Sequence, residues 1–182
     1  MKILFAIGLI LAALQALPGH AAAAALVLPA DGRPVSASGH LQMLRDTTGQ
    51  LGPDAALAAS GWRPLPGPVS AGYTQDAIWL RLDVARATQS PDEWVLRFSN
   101  AVLDDVRLYR QDQAGHWLMQ QAGADVAHDA WPIDARQAVF PFQLQAEQPQ
   151  RWLVRLHSKK AMSTELTLLP SASFDASSRR EY

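Results

Sequence analysis

Alternating hydrophobicity after position 76 is the feature that most constrains the fold of this chain. The clearest stretch is IWLRLDV (78–84), in which four aliphatic residues alternate with Trp79, Arg81 and Asp83. Successive side chains of a β-strand point to opposite faces of its sheet. The stretch therefore predicts a strand with its aliphatic face toward a core, and with Trp79, Arg81 and Asp83 facing outward or into a groove.

The same period recurs along most of the chain. Further stretches of this kind are HLQMLRD (40–46), EWVLRFSNAV (93–102), DDVRLYRQ (104–111), HWLMQQAG (116–123), QAVFPFQLQA (137–146), RWLVRLHS (151–158) and TELTLLPS (164–171). Seven or eight short strands separated by turns are typical of an all-β sandwich. Pro141 cannot donate a ladder hydrogen bond, so its strand should be at an edge or bulged. One short connecting helix is expected in GPDAALAASG (52–61), with Pro53 in its first turn.

The N-terminus has the order of parts of a secretory signal peptide. Lys2 precedes the apolar run ILFAIGLILAALQAL (3–17), and alanines follow a Pro-Gly break. An uncleaved membrane anchor is the rival interpretation, but the run is short for a span of about 20 residues. We expect cleavage between Ala21 and Ala25. The chain then divides into a signal peptide (1–25), an extended lead-in (26–39), a β-sandwich (40–174) and a linker (175–182).

Composition and motifs exclude several function classes. The formal charge is −1 with no basic stripe, which argues against nucleic-acid binding. The chain has no cysteine, and its five histidines form no HExxH pair, so no metal site or cofactor is expected. Asp104 and Asp105 should point to opposite faces, which makes them a poor acid–base pair. Nucleophile-elbow and phosphate-loop motifs are also missing from the sequence, so we expect no enzymatic activity.

Four segments, in this order, carry a resemblance to a known family. They are IWLRLDV (78–84), LDDVRLY (103–109), GADVAHDAWPIDARQAVFPFQL (123–144) and WLVRLHS (152–158). Together they resemble the type 2 extracellular domain of the seven-transmembrane receptors with diverse intracellular signalling modules (7TMR-DISM), over most of residues 40–174. The chain departs from the family pattern by reading Gly-Ala-Asp at 123–125 and Trp131-Pro132 in the following loop.

The resemblance implies a jelly-roll sandwich similar to carbohydrate-binding modules, on the periplasmic side of a bacterial inner membrane. It also implies that a seven-helix membrane region follows residue 182. A cytoplasmic diguanylate cyclase or histidine kinase would then deliver the output.

Six residues are candidates for binding a carbohydrate or a small anion. They are Trp79, Arg81, Tyr109, Trp131, Arg136 and Arg155. Guanidinium groups can hold carboxylates, phosphates or sugar hydroxyls, and aromatic rings can stack on sugars. By the resemblance, Tyr109 ends the Asp-Val-x-Leu-Tyr pattern and Arg136 begins the Arg-x-x-x-Phe-Pro pattern. We expect Trp79 and Arg81 to share an outward groove with Arg155 close by.

Structural roles compete with these assignments. Cross-strand ion pairs with Asp83, Asp104 or Asp105 are the favoured explanation for Arg97 and Arg107. Trp94 and Trp152 fall on the apolar side of their strands and should belong to the core, whereas Trp131 lies in a loop.

The sequence leaves three functions open. The favoured one is a periplasmic sensor domain tethered to its own transmembrane region. The alternatives are a free-standing carbohydrate-binding module and a dimerisation module that uses an outward aromatic patch or an edge strand.

Overall fold

The computed structural model describes residues 24–145 and 148–179. The predicted signal peptide lies outside them except for Ala24 and Ala25. The described strands are β1 (Leu26–Leu28), β2 (Val35–Ser36), β3 (Leu41–Asp46), β4 (Arg63–Leu65), β5 (Val69–Gly72), β6 (Ala77–Arg86), β7 (Glu93–Phe98), β8 (Asp105–Gln111), β9 (Trp117–Ala122), β10 (Val139–Gln143), β11 (Gln150–His157), β12 (Met162–Thr164) and β13 (Leu166–Pro170). The α-helices are α1 (Pro53–Ala58) and α2 (Ser171–Ser178), and a short 3-10 helix spans His128–Ala130.

The strands form two main sheets. The larger has the order β4-β3-β6-β11-β8-β9, and β1 adds to it by pairing in parallel with β6. The smaller has the order β10-β7-β13-β2, and β5 pairs with β12 beside them. The other strand pairs are antiparallel. The all-β sandwich predicted from the alternating pattern is confirmed.

The core lies between the inner faces of the two sheets. Each aliphatic residue of the 78–84 stretch is at most 2% exposed, as the alternation predicts. Burying one such side chain contributes roughly 1.5–3 kcal/mol. Aromatic rings from both sheets fill the centre, with Phe142 packed edge-on against Trp152 at 4.5 Å between ring centroids. Trp94 and Trp152 belong to this core, which confirms their predicted role.

Local expectations about edges and turns hold as well. β10, which contains Pro141, is an edge strand of the four-stranded sheet. α1 begins at Pro53, as the sequence indicates. The hairpin between β8 and β9 turns at Gly115, whose φ of +85° falls in the left-handed region that glycine adopts at low cost.

Both ends of the sandwich differ from the expected boundaries. The lead-in at 26–39 is extended, but it contributes β1 and β2 to the sheets. At the other end, α2 extends to Ser178, although a linker was expected to begin at residue 175. The sequence of this helix shows no helical pattern of apolar residues. Phe174 packs this helix against Val95 and Leu169, so tertiary packing overrides weak local propensity.

Asp104 ties together the segments that precede β8 and follow β11. Its carboxylate accepts hydrogen bonds from Lys159 N at 2.7 Å, Ser158 Oγ at 3.0 Å and Lys160 Nζ at 3.0 Å. The Lys159 N–H contributes most to lowering the pKa of Asp104, and the bonds together outweigh burial, which alone would raise it. A carboxylate whose pKa is lower in the folded state stabilises the fold above its unfolded pKa of about 3.9.

We therefore expect the free energy of unfolding to fall as pH drops from about 5 toward 2. The pKa of Asp46 adds to this effect: burial raises it, but bonds from Thr48, Leu51 and Gly49 outweigh burial and lower it. Urea unfolding at a series of pH values measures the effect. Asp104→Asn should be less stable at neutral pH and should lose less stability on acidification than the wild type. Parallel pH profiles for the two chains would contradict this assignment.

Candidate functional site

Four of the six predicted ligand residues lie on the outer face of the seven-stranded sheet. In the register of β6 and β11, Arg155 is opposite Trp79 and Leu153 is opposite Arg81. Tyr109 of β8 is opposite Leu153 on its other side. Trp79, Arg81, Tyr109 and Arg155 are therefore brought together, as the alternation predicts for Trp79 and the two arginines.

Trp79 does not line an open groove, however. The segment that contains α1 covers it, and its side chain is 0% exposed. Its ring stacks on that of Tyr109 with 5.5 Å between centroids and packs among Trp62, Ala56 and Leu153. The groove expected at Trp79 is thus replaced by a second, smaller hydrophobic core outside the sheet.

Polar contacts hold the α1 segment on this face. Trp117 Nε1 donates to Asp54 Oδ1 at 2.7 Å and Arg155 donates to the Gly49 carbonyl at 3.1 Å, while within the segment Trp62 Nε1 donates to the Ala56 carbonyl at 2.9 Å. Trp79 Nε1, in contrast, is buried and has no hydrogen-bond partner among the residues that the structure describes. The stability of Trp79 in this place therefore comes from packing and not from a polar contact of its own.

Arg155 is engaged within the domain. Its side chain is 12% exposed and lies 2.9 Å from Asp105 Oδ2, with a second bond of 3.1 Å to the Gly49 carbonyl. Arg107 pairs with the same carboxylate at 3.1 Å, but Asp105 lies two residues away on the same strand, so the pair is not the cross-strand one that was predicted. Asp104, the neighbouring carboxylate, has an entirely different set of partners.

Arg81 is also held by its neighbours. Its guanidinium lies 4.7 Å from the ring centroid of Trp62 and donates to Gln42 Oε1, with 2.7 Å from Nε. Burial, and next the charge of Arg151, lower the pKa of Arg81. An arginine pKa starts so high that the group keeps its charge at neutral pH. The outer face therefore presents cations that are already stacked or bonded.

The other two predicted residues lie elsewhere, in the connection between β9 and β10. Trp131 packs against the main core, stacks on His128 at 4.7 Å, and donates to the Val126 carbonyl at 3.2 Å. Arg136 is exposed beside Arg97 on the outer face of the four-stranded sheet. The structure thus separates the six predicted residues into three places.

A cleft that the sequence analysis missed opens between the edges of the two sheets. Arg110 and Gln143 line two adjoining depressions of about 450 and 410 Å³. Gln120 Nε2 bridges the sheets beside them by donating to the Pro141 carbonyl at 3.3 Å. The depressions lie at the open side of the sandwich, where β9 and β10 are the edge strands.

Arg110 is the distinctive residue of this cleft. It is half-buried, and among residues 24–145 and 148–179 no hydrogen bond or ion pair engages its guanidinium. Burial lowers its pKa, since the charged form is partly desolvated. One sequence signal pointed to it. Val106 and Leu108 face the core, and Arg110, two residues further along the same strand, places a cation on the core-facing side, where an apolar residue is usual.

Amide groups, apolar side chains and two carboxylates, Glu93 and Asp112, line the depressions around this cation, and Gln143 Nε2 donates to Glu93 Oε1 at 3.3 Å. The residues of the second depression are Arg110, Gln111, Asp112, Gln113, Leu118, Gln143, Leu144, Gln145, Gln148, Pro149 and Gln150. Hydrogen bonds from His116 lower the pKa of Asp112, and the bond from the His116 backbone N–H contributes most. Amides both donate and accept hydrogen bonds, so the cleft can hold a small polar ligand that carries negative charge.

Two further observations concern the described residues. No group of three or more histidines and carboxylates in that part of the chain is arranged to hold a metal ion. None of the helices found there is both long enough and apolar enough to cross a membrane.

The family model of the 7TMR-DISM extracellular 2 domain matches residues 38–170. The chain belongs to this family. The resemblance carried by the four segments is therefore confirmed, and the match begins just before β3 and ends with β13. As a 7TMR-DISM extracellular 2 domain, the chain is an extracellular sensor-type domain of a membrane receptor. No curated protein matches it.

Proposed function

We propose that this domain is the periplasmic ligand-sensing part of a bacterial transmembrane signalling protein. It would act upstream of a seven-helix membrane region and of a diguanylate cyclase or histidine kinase. The ligand is a small anion or a carbohydrate that carries a carboxylate, and it binds in the cleft at Arg110. The domain itself performs no chemistry.

The half-buried guanidinium of Arg110, which has no partner within residues 24–145 and 148–179, is the observation that carries this proposal. Partial burial of a charge without a partner costs free energy, which a bound anion offsets. The planar guanidinium suits a carboxylate in bidentate geometry, and a hydrogen bond to a charged group contributes about 1.5–3 kcal/mol. The nearby glutamine amides match hydroxyl groups on the same ligand.

The tryptophans support an anion over a neutral sugar. Trp62, Trp79, Trp94 and Trp152 are buried, and Trp117 and Trp131 are half-buried and hydrogen-bonded within the domain. A free-standing carbohydrate-binding module stacks sugars on open aromatic faces. These side chains offer no such open platform, so recognition rests on Arg110.

Calorimetric titration of the purified chain tests the proposal. Acetate, succinate, galacturonate and neutral glucose are the probes. We expect at least one of the three carboxylates to bind, with glucose much weaker, and Arg110→Gln to weaken binding roughly 10-fold or more. Arg63→Gln, which removes an exposed arginine on β4, is the matched control and should bind as the wild type does.

Equal binding by wild type and Arg110→Gln would place the ligand elsewhere, and binding by none of the carboxylates would remove the support for sensing. Glu147 lies outside the described residues. Glu147→Gln shows whether that carboxylate competes for Arg110, in which case the variant binds more tightly than the wild type.

A further inference from the structure

A second, smaller pocket lies against the last turn of α2. Its volume is about 50 Å³, and its lining includes Arg97 of β7 and Arg136 and Gln137 of the β9–β10 connection. Ser177 and Ser178, in the last turn of α2, complete it. Three separate parts of the fold therefore meet around one small space.

The two arginines are unlike most others in the described part of the chain. Six of the other described arginines pair with a carboxylate, for example Arg45–Asp76 at 2.8 Å, Arg86–Asp92 at 2.8 Å and Arg151–Asp83 at 2.7 Å. Within residues 24–145 and 148–179, no carboxylate lies within 4 Å of Arg97 or Arg136. The favoured sequence interpretation of Arg97, a cross-strand pair with Asp83, Asp104 or Asp105, is wrong, because those carboxylates belong to the other sheet or its flank.

The carboxylate that lines the pocket, Asp134, forms no ion pair within 4 Å with either arginine. Asp134 is 94% exposed, and its ion pair within 4 Å is to His128 Nδ1 at 3.8 Å. Two guanidinium groups lining one pocket repel each other, and the repulsion grows as water is excluded. A bound anion between them would turn this repulsion into two attractions.

We propose that this pocket binds a single phosphate group. A space of about 50 Å³ exceeds the roughly 10–15 Å³ that one water molecule needs and is small enough to favour a single small anion. Arginine is the side chain best suited to hold phosphate by paired hydrogen bonds. The source is either free inorganic phosphate or the headgroup phosphate of a membrane lipid.

The bound phosphate has a structural consequence for α2. This end of the helix carries the negative end of its dipole, so Arg97 and Arg136 must supply the attraction. Ser178 and the Gln137 amide can donate to the same anion, whereas Ser177 Oγ already donates to the Phe174 carbonyl at 2.7 Å. Phosphate therefore links β7, the connection before β10 and α2, and stiffens the helix through which the chain leaves the sandwich.

Calorimetric titration with inorganic phosphate tests the binding. We expect Arg97→Gln and Arg136→Gln each to raise the dissociation constant at least 10-fold. Arg63→Gln should leave phosphate affinity unchanged, and Arg97→Gln should leave carboxylate binding in the Arg110 cleft unchanged, so failure here is separate from failure of the proposed ligand cleft. Far-ultraviolet circular dichroism identifies any variant that fails to fold, and Arg97→Lys, which keeps the charge, should retain part of the affinity.

Hydrogen–deuterium exchange reports on the helix. Phosphate should slow exchange of the α2 amides at least threefold in the wild type and leave it unchanged in Arg97→Gln. Unchanged α2 exchange in the phosphate-bound wild type would overturn the coupling to the helix.

Co-sedimentation with phosphatidylglycerol vesicles separates the two sources. Binding of vesicles that depends on Arg97 and Arg136 assigns the site to a lipid headgroup, and binding of inorganic phosphate alone assigns it to the free anion. Binding of neither, or binding that survives both substitutions, overturns the proposal. Glu181 lies outside the described residues, and Glu181→Gln should bind phosphate as well as the wild type or more tightly; weaker binding would also contradict the site.

Discussion

Trp79→Ala should destabilise the domain by about 3–5 kcal/mol, the range for removing a large buried aromatic side chain. Trp79 is 0% exposed and contacts the α1 segment on one side and Tyr109 on the other. Truncation removes the centre of the smaller core and leaves α1 without a surface to pack on. For a domain of this size, the melting temperature should fall by roughly 10 °C or more. Urea unfolding followed by circular dichroism measures the loss.

Two variants sharpen this experiment. Tyr73→Ala removes an aromatic side chain that is 84% exposed and should change stability by less than about 0.5 kcal/mol. Trp79→Phe should cost less than Trp79→Ala, because the indole N–H that it removes has no partner in the described part of the chain. If Trp79→Ala were as stable as the wild type but weaker in ligand binding, Trp79 would be a ligand contact and the packing role would be wrong.

Arg155→Met should destabilise the domain by about 3 kcal/mol, at the lower end of the range for breaking a buried ion pair. Arg155 and Asp105 are each 12% exposed, so removing the cation leaves a carboxylate that water reaches poorly. Arg107 and Gln121 still contact Asp105, at 3.1 and 3.0 Å, and limit the loss. The bond from Arg155 to the Gly49 carbonyl also disappears, which loosens the segment that leads into α1.

Arg151→Met is the matched control for this prediction. Arg151 lies on the same strand and face and pairs with Asp83 at 2.7 Å, but its side chain is 46% exposed. Exposed ion pairs contribute about 0–1 kcal/mol, so the control should lose little stability. Equal losses in the two variants would contradict the distinction between a buried and an exposed pair. If the Arg155→Met chain were stable but bound carboxylates more weakly, Arg155 would instead be a ligand-binding residue.

The fold was predictable because strand faces follow from neighbouring residues. The alternation in 78–84 placed the aliphatic residues in the core and put Trp79 and Arg81 on the outer face, and both placements hold. Pro141 indicated an edge strand for a similarly local reason, since a residue without an N–H cannot serve an interior ladder. α2 was not predictable, because its helix depends on Phe174 meeting Val95 and Leu169.

The candidate site was only partly predictable. Choosing residues by type favoured Trp79 and Arg155, which the fold uses for packing and for an internal ion pair. The same choice left out Arg110, which matters because no hydrogen-bond or ion-pair partner engages its guanidinium in the described structure. The sequence does show a cation at a core-facing position of β8. That position indicates a binding site only when the structure shows that the two sheet edges leave a cleft there.

By itself, the sequence determined the all-β class, the facing of the principal strands and membership of a receptor-domain family, because each depends on residues close together along the chain. Only the tertiary structure decided which outward side chains are covered and which cations have no partner among the described residues. Those outcomes depend on contacts between distant segments, such as the bond from Trp117 to Asp54 across 63 positions. No local pattern of hydrophobic residues encodes where such segments meet.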